Sequence, residues 1–364
     1  MRVSARIPSQ SAAMKTIAVD LNPATREVVT GTEIYAREVG SRLAAVAPDL
    51  RWRFLASRPR AGLGVDVMVM PFPRLWSQVR LPLALARERA DLLFVPSHVV
   101  PFAWPGKALT VVHDLAFERH PHAYSATERA YLQLTTRWAA QRCPLLIADS
   151  ETTKSDLVAL YGVKAERVRV VPLGGGEAAQ RPIAPASRLG ELGLDGTFVL
   201  QVGRIEARKN QVAALAAAER LDGVTLAVAG PERDKSLAAR LRASPSARVL
   251  GRVDQPTLEL LYEHAAAVVV PSLYEGFGLP VLEAMSRGKV VVAAPTSSLP
   301  EVGGDAVLYA DPADPDAFAK ALQRALSDKA LRSKLVGAAR TRASQFTWER
   351  CAAGVVAVIR ELVP

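Results

Sequence analysis

Cysteine is scarce in this chain of 364 residues, with Cys143 and Cys351 as its only two examples. Two thiols, with no third or fourth near either, exclude a disulfide framework and a thiolate zinc site, and they favour a cytoplasmic location. No apolar run approaches the roughly 18 residues that a membrane-spanning helix requires. The first thirteen residues are basic but lack the apolar core of a signal peptide. We therefore expect residues 1–13 to be a flexible tail, with Met14 as an alternative start.

Several well-known motifs are also missing. No GxGxxG follows the first apolar strand, and no Walker P-loop, GxSxG or HExxH occurs, which argues against the dinucleotide-binding, P-loop, elbow-hydrolase and zincin classes. His120 and His122 have no companion cluster of acids or cysteines, so a loop pair is favoured over half a metal site. The acidic pair Asp314 and Asp316 falls at a predicted helix start, where carboxylates suit the helix dipole. We predict no metal site.

The charge of the chain is positive and unevenly spread. The net charge is +10, and residues 1–180 hold 23 basic against 16 acidic side chains, whereas residues 181–364 hold 23 against 20. A basic first half fits an anionic partner such as a membrane surface, a phosphorylated substrate or nucleic acid. Solubility alone explains the excess equally well.

The pattern of apolar runs predicts an α/β protein. Runs rich in β-type residues alternate with stretches of helical spacing such as 32–46, 125–142, 151–161, 209–220, 255–265 and 314–327. Strands that alternate with helices form parallel sheets with helices on both faces. The strands are predicted at 16–21, 52–56, 65–70, 91–95, 108–112, 145–149, 168–171, 198–202, 225–229, 247–250, 267–271, 290–294 and 306–309.

The series of strands is interrupted once, which predicts two halves. Residues 174–196 are rich in Gly, Pro and Ala and contain no predicted strand. We expect an N-terminal Rossmann-like domain over 14–175, a linker over 176–196, a second such domain over 197–346 and a final helix in 347–364. Doubly wound sheets bind ligands at the carboxyl ends of their strands, so two facing halves would enclose a cleft.

The strongest motif is PSLYEGFGLPVLEA at 271–284, which follows one predicted strand and opens a helix. Its glycines, Gly276 and Gly278, let the backbone approach a ligand, and N–H groups at a helix start attract an anion. Glu283 lies eight residues after Glu275, where a carboxylate can accept two sugar hydroxyls. A helix cap at Glu275 with a solvated Glu283 is the disfavoured alternative.

Three further segments lie where strands are predicted to end. VGRIEARKN at 202–210 carries Arg204 and Lys209, two cations able to neutralise a diphosphate without a metal. His113 and Asp114 follow another strand. From the sequence alone, a hydrogen-bonded structural role for His113 and a functional role are about equally favoured. Gly31, in the loop before the first helix, either approaches the ligand or makes a turn.

Together these segments resemble the family 4 retaining glycosyltransferases. The resemblance is carried by EGFGLPVLEA, GRIEARKN, the His-Asp pair, ADSETTKSDL at 148–157, RVRVVPLG at 167–174 and SSLPEVGGDA at 297–306, and it extends from about residue 15 to the C-terminus. It implies the GT-B architecture, in which two Rossmann-like domains face each other across a cleft and the last helix returns to the first domain. One departure is Leu173-Gly174-Gly175-Gly176, where family members often have Asn-Gly-Val.

The resemblance also implies a role for each candidate residue. Arg204 and Lys209 would hold the donor diphosphate, with Gly31 and Thr32 beside it, and Glu283 would bind the ribose. Glu275 and the backbone of Gly276, Phe277, Gly278 and Leu279 would contact the transferred sugar, and His113 would lie at its reacting face. Base recognition would use backbone groups of 251–254, including Val253. We assign His113, Glu275, Arg204 and Lys209 as catalytic.

The predicted function is transfer of a hexose from a nucleoside-diphosphate sugar, of the GDP-mannose or UDP-hexose type, to an acceptor hydroxyl with retention of the α-configuration. No cofactor, no metal and no nucleic acid are expected. The acceptor would be a saccharide, a lipid-linked saccharide or a small metabolite held on the first domain. A nucleotide-sugar-binding scaffold without turnover, and an epimerase or phosphorylase on the same plan, are the alternatives.

One segment predicts contact with a membrane surface. Residues 74–89 place arginines around Leu and Trp, and a basic amphipathic segment can lie among anionic headgroups. A core helix with solvated arginines explains the same pattern equally well. On the first interpretation the protein would be peripheral on the inner face of the membrane.

Overall fold

The computed structural model describes residues 14–26, 30–71, 75–177 and 181–364. Within these ranges the chain forms one sheet of seven strands and one of six, and all strand pairs are parallel. The predicted class, α/β with two doubly wound halves, is confirmed. The predicted tail, residues 1–13, lies outside the described ranges.

The first sheet has the strand order β3-β2-β1-β4-β5-β6-β7. Strands β2 and β3 are added on one side of β1 and strands β4 to β7 on the other, so the strand order reverses between β1 and β4. Its apolar strands are buried because helices cover both faces. The strands are β1 (Thr16–Asp20), β2 (Arg51–Ala56), β3 (Val67–Val69), β4 (Leu92–Val95), β5 (Lys107–Val112), β6 (Leu145–Ala148) and β7 (Val168–Val170). The helices of this half are α1 (Gly31–Val46), α2 (Leu81–Glu88), α3 (Ala116–Arg119), α4 (Ala126–Arg142) and α5 (Glu151–Tyr161).

The second sheet has the order β10-β9-β8-β11-β12-β13, with its reversal between β8 and β11. Its strands are β8 (Thr197–Val202), β9 (Val224–Ala229), β10 (Ala247–Gly251), β11 (Ala267–Val270), β12 (Val291–Ala293) and β13 (Leu308–Tyr309). The helices from here to the C-terminus are α6 (Ser187–Glu191), α7 (Gln211–Ala218), α8 (Lys235–Ala243), α9 (Gln255–His264), α10 (Leu279–Ser286), α11 (Leu299–Gly303), α12 (Pro315–Ser327), α13 (Lys329–Ala343) and α14 (Trp348–Leu362). In each half the reversal of strand order creates a crevice at the carboxyl ends of the strands.

The last helix returns to the first half, as the resemblance implies. Helix α14 packs against α1, and Val355 and Ile359 join Tyr35 and Val39 in one buried cluster. At the rim of this contact the Arg42 Nε donates to Glu349 Oε1 over 2.8 Å. Helix α14 follows the second sheet in the chain, but its apolar face is buried against the first half. This contact connects the two halves.

The predicted linker is only partly irregular. It contains the short helix α6, and the N–H of Ala184 donates to the carbonyl of Pro256 over 3.0 Å, so the segment runs along the start of α9. A Cβ on Gly174 would lie 2.3 Å from the Trp348 nitrogen, so this position admits only glycine. Residues 178–180 lie outside the described ranges, and the domain boundaries given above stay predictions.

Candidate active site

The candidate residues of the second half sit at the reversal of strand order. Strands β8 and β11 are neighbours in the sheet, and the loops that follow them carry Arg204–Lys209 and Glu275–Gly278. Because both strands are parallel, their carboxyl ends meet at one edge, and the two loops come into contact. The sequence predicted this pairing from strand-end positions alone.

Glu275 is a buried carboxylate held between two cations. Its Oε1 accepts from the Lys209 Nζ over 2.6 Å, and its Oε2 lies 3.4 Å from the Arg208 Nη1. Its side chain is only 7% exposed. Burial would raise the pKa of this carboxyl, but Lys209 and Arg208 lower it to about 2. Glu275 is therefore ionised throughout the physiological range.

Arg208 links the two loops, and the sequence analysis missed it. Its Nη1 donates to the Tyr274 carbonyl over 2.7 Å and its Nη2 to Glu206 Oε1 over 2.8 Å. Burial would lower the pKa of this guanidinium, but Glu275, with other nearby acids, raises it. Its position beside Lys209 was the available signal, but a sequence does not show which of two adjacent cations points inward.

The two predicted phosphate ligands differ in their surroundings. Lys209 is nearly buried, and burial lowers its pKa, although Glu275 opposes that shift. Arg204 keeps a side chain that is 38% exposed, and its nearest acid is Glu206, with 4.0 Å between Nε and Oε2. Arg204 is thus available to an anion in the cleft, whereas Lys209 would be shared between such an anion and Glu275.

The glycine loop before α10 touches the first half. A Cβ on Gly276 would lie 2.0 Å from the His113 carbonyl oxygen, and Gly278 has a φ of 108°. The Ser150 Oγ, from the start of α5, donates to the Gly276 carbonyl over 2.7 Å. Within the described residues, no protein acceptor takes the N–H of Gly276, Phe277 or Gly278. These donors lie at the start of an eight-residue helix, where an anion is favoured.

His113 lies against this loop, and its ring is held by two acceptors. Nδ1 is 2.7 Å from Asp149 Oδ2, and Nε2 is 3.2 Å from the Pro96 carbonyl oxygen. The edge of the ring meets Tyr35 of α1, with 4.9 Å between ring centroids. Asp149 was not singled out from the sequence, although it directly follows β6, the neighbour of the strand that precedes His113. The adjacent Asp114 turns back on its own loop, where Oδ1 accepts from the Ala116 N–H over 3.0 Å.

Glu283 lies on α10 and is held by a tyrosine that the sequence analysis did not identify. The hydroxyl of Tyr262, a fully buried residue of α9, donates to Glu283 Oε2 over 2.8 Å. The Arg287 guanidinium covers the Tyr262 ring, with 4.5 Å between its carbon and the ring centroid. Val253 is half-buried in the loop between β10 and α9, which is the predicted location of base recognition.

Gly31 and Thr32 form the facing wall of the first half. Gly31 begins α1, and a Cβ there would lie 3.6 Å from the Leu279 Cδ1 at the start of α10. Thr32 is half-buried in the same turn. Residues 28 and 29 of the predicted glycine loop lie outside the described ranges. The structure thus brings the starts of α1 and α10, one from each half, to opposite sides of one cleft.

In the histidine pair of the first half, His120 lies near the glycine loop's aromatic neighbour, Tyr274. His120 stacks obliquely near Tyr274, with 5.9 Å between ring centroids. Across the described ranges no group of three or more His, Cys, Asp or Glu side chains is placed to hold a metal ion. In the same ranges no helix is long and apolar enough to cross a membrane.

Two protein-family models match this chain and together cover most of it. The model described as Glycosyltransferase Family 4 matches residues 29–174, and the model described as Glycosyl transferases group 1 matches residues 190–342. The two matches fall on the two sheets. Their boundary lies in the segment that contains α6.

Curated relatives and solved structures agree with these models. The O-antigen chain mannosyltransferase B of Escherichia coli is 32% identical over 260 residues, which is 67% of this chain and 68% of that protein. The D-inositol 3-phosphate glycosyltransferase of Acidothermus cellulolyticus is 35% identical over 59% of this chain, but only about half of that protein, 53%, is spanned. The crystal structure of Anabaena Alr3699/HepE in complex with UDP and glucose has a TM-score of 0.75 at 19% identity and covers 96% of this chain and 100% of its own.

Proposed function

This chain belongs to family 4 of the glycosyltransferases and has the GT-B fold, and we propose that it moves a hexose of the mannose or glucose type from a nucleoside-diphosphate sugar to an acceptor hydroxyl with retention of the α-configuration. The proposed setting is the biosynthesis of a glycan, polysaccharide or glycolipid. The similarity to an O-antigen mannosyltransferase favours mannose, and the UDP and glucose bound in a structural neighbour keep UDP-glucose as the alternative donor.

One observation carries the proposal. The buried Glu275 carboxylate, clamped by Lys209 and Arg208, lies in the loop that opens α10, and His113 of the other half lies directly against that loop. A carboxylate that stays ionised, with a pKa of about 2, is suited to accepting sugar hydroxyls through the lone pairs that Lys209 and Arg208 leave unused. Because both its oxygens already face cations, Glu275 is poorly placed to act as a covalent nucleophile.

The proposed chemistry therefore uses same-face attack. The bond between the anomeric carbon and the diphosphate oxygen breaks, the acceptor oxygen bonds to the same face of that carbon, and the acceptor proton passes to the departing phosphate oxygen. Negative charge grows on the diphosphate as it leaves. Arg204, Lys209 and the N–H groups of residues 276–278 are prearranged donors for that charge, and such preorganisation lowers the barrier.

The remaining contacts would hold the donor without reacting. We assign the ribose hydroxyls to Glu283, the diphosphate also to Gly31 and Thr32, the sugar to residues 276–279 and the base to the loop around Val253. The fixed cations on the β8 loop supply the positive charge that other transferases take from a divalent ion. We accordingly propose transfer that needs neither metal nor cofactor.

We propose that the acceptor binds to the first half and that this half contacts a membrane surface. In α2 and the helical turn before it, Trp76, Leu81 and Leu85 are buried, whereas Leu75, Val79 and Leu83 are exposed by 68%, 41% and 58%. Val79 lies in the π-helical turn Trp76–Arg80 and Leu83 lies four residues later in α2, while Leu75 directly precedes that turn with a φ of 53°. A basic and apolar face of this kind suits anionic headgroups. Arg74, at the start of the predicted segment, lies outside the described ranges.

The test combines donor binding with turnover. Thermal-shift titration with GDP, UDP and ADP should raise the melting temperature with one of them, since a ligand that binds only the folded state stabilises it. Incubation of the corresponding nucleotide sugar should then release free nucleotide, slowly with water and faster with an added saccharide acceptor. Binding without any release would favour the scaffold alternative. Proton NMR of the product should show an α-anomeric linkage, and a β-linkage would refute retention.

A further inference from the structure

The two ring nitrogens of His113 both face oxygen acceptors. One acceptor is the carboxylate of Asp149, at 2.7 Å from Nδ1, and the other is the carbonyl of Pro96, at 3.2 Å from Nε2. A neutral imidazole carries only one N–H, so it satisfies one of these acceptors and turns a lone pair on the other. The imidazolium form has two N–H groups and satisfies both. Beside an ionised Asp149, this geometry therefore favours the cation.

Burial makes this choice consequential. The His113 side chain is 15% exposed and that of Asp149 only 2%. Burial by itself would lower the pKa of His113, but Asp149, through charge and hydrogen bond, raises it above the ordinary value. Burial also raises the pKa of Asp149, and the charge of His113 and the hydrogen bond to it oppose that shift.

The other charged and titratable neighbours act in both directions. Asp114, the next residue in the chain, favours the charged ring. His98, after β4, is half-buried, and desolvation together with His113 lowers its pKa to about 4, so it adds no competing charge at neutral pH. Tyr35 of α1 contributes its ring edge, and burial raises its pKa well above the usual range, so its hydroxyl stays neutral. Among these neighbours the two carboxylates favour the charged ring, and neither His98 nor Tyr35 adds a charge at pH 7.

We propose that Asp149 is a positioning residue that keeps His113 doubly protonated, so that His113 serves the cleft as a fixed cation and not as a general base. This inference rests on the proposed transfer function and deepens it. A ring whose two nitrogens both donate cannot accept the proton of the acceptor hydroxyl. The proton must then leave with the phosphate, as same-face attack requires, while the imidazolium adds positive charge at the glycine loop where the diphosphate departs.

The protonation state can be observed without any substrate. The chain has five histidines, and His113→Gln assigns the resonances of His113 by their loss. Nitrogen-15 NMR of the free protein at pH 7 should show both His113 ring nitrogens protonated, and Asp149→Asn should return the ring to a neutral tautomer at that pH. A neutral His113 in the unsubstituted protein would overturn the proposal whatever the enzyme transfers.

The kinetic test uses the pH dependence of kcat. For the unsubstituted enzyme, activity should fall as the pH rises through the raised pKa of His113, because the active form is the protonated one. Asp149→Asn should move this alkaline limb to lower pH. It should also reduce kcat at pH 8 by about tenfold or more, because one preorganised donor contributes roughly 10²–10³-fold and part of that contribution is lost. Asp149→Glu should recover part of the loss.

A matched control separates positioning from folding. Asp328 caps the start of α13 by accepting from the Leu331 N–H over 2.9 Å, so Asp328→Ala should lower the melting temperature without moving the limb. If kcat of the unsubstituted enzyme instead falls as the pH drops below neutrality, as expected when His113 acts as a neutral base, the proposal is refuted. Thermal-shift measurements of nucleotide binding test the donor site independently of His113. If Asp149→Asn binds nucleotide and transfers sugar with an unchanged alkaline limb, the role of Asp149 is refuted while the proposed function stands.

Discussion

At the scale of single residues, Glu275 and Glu283 look alike in the sequence but occupy different surroundings. Glu283 is partly accessible and bound by the Tyr262 hydroxyl, whereas Glu275 is buried between cations. We expect Glu283→Ala to raise KM for the donor with kcat largely kept, because ribose contacts are made equally in ground and transition states. Glu275→Ala should instead lower kcat. Initial rates over a range of donor concentrations measure both constants, and similar changes in the two variants would refute this division of roles.

A second prediction concerns Lys209, whose ammonium group would contact both Glu275 and the donor diphosphate. Removing it by Lys209→Ala should lower kcat by about 10²–10³-fold, the cost of losing one preorganised donor from a developing anion. Lys209→Arg, which keeps the charge, should lose less. Transfer by the unsubstituted enzyme should persist in excess EDTA, and added Mg²⁺ should not rescue Lys209→Ala. Activity that EDTA abolishes and Mg²⁺ or Mn²⁺ restores would show that the leaving group is stabilised by an ion.

The residues that the sequence did not reveal share one property. Arg208, Asp149 and Tyr262 act on a predicted residue rather than on the cleft itself, and their role depends on burial and direction. Motif spacing located Glu275, Lys209 and His113, which follow strand ends. It could not show which neighbouring side chain turns inward, because that depends on packing between elements distant in the chain.

At the scale of elements, the glycine loop before α10 is built for contact between the halves. A Cβ on Gly276 would lie 2.0 Å from the His113 carbonyl oxygen and 2.7 Å from the Asp114 Cβ. Gly276→Ala should therefore push the two loops apart and reduce kcat/KM by about 10²-fold, the cost of a displacement near 1 Å at a reacting centre. We expect the two loops to move apart without disturbing either sheet, so the melting temperature should change little.

A second glycine supplies the control for that prediction. Gly337 lies on α13 with open space where a Cβ would be added. Gly337→Ala should stabilise the protein by roughly 0.5–1 kcal/mol through helix propensity, with unchanged activity. Calorimetry and initial rates on both variants give the comparison. Full activity in Gly276→Ala would mean that the contact between the loops does not matter for transfer.

Strands were easier to predict than helices in this chain. All thirteen strands of the structure fall on predicted apolar runs, since buried parallel strands are nearly continuous in Val, Ile, Leu and Ala. Several helices were not marked, among them α8, α11 and α13. The start of α13 and its middle are rich in Lys, Arg, Ser and Ala, and only Leu335, Ala339 and Ala343 are buried, so its apolar face is too narrow to stand out.

At the scale of the whole molecule, the exposed face of α2 predicts binding to anionic liposomes in flotation at low salt. Leu83→Glu should lower the bound fraction by about tenfold, since burying one leucine contributes about 1.5–3 kcal/mol. Ile183→Glu is the matched control, because Ile183 is similarly exposed, at 51% against 58%, but belongs to the segment before α6. Absence of binding by the unsubstituted protein, or equal loss in both variants, would remove the membrane from the proposed function.

The two halves also meet through Tyr274, the residue before Glu275. Its hydroxyl accepts from the Leu115 N–H over 3.2 Å and donates to Asp156 Oδ2 over 2.7 Å, both in the first half. The Tyr274 carbonyl holds Arg208, which in turn contacts Glu275. Tyr274 thus connects one contact between the halves to the side chain of Arg208, which helps to hold the Glu275 carboxylate.

Tyr274→Phe should shift the molecule toward an open cleft. The change leaves the Leu115 N–H without its acceptor in the closed form, at a cost of about 1–3 kcal/mol, which corresponds to roughly a 5- to 150-fold change in the ratio of closed to open forms. Small-angle X-ray scattering with saturating nucleoside diphosphate should give a larger radius of gyration for this variant, and its kcat should fall. Tyr161→Phe removes a hydroxyl that donates to Glu118 over 2.7 Å within the first half, so it should leave both quantities unchanged. Equal compaction of the two variants would show that closure is governed by other contacts, such as the bond between Arg233 and Glu128.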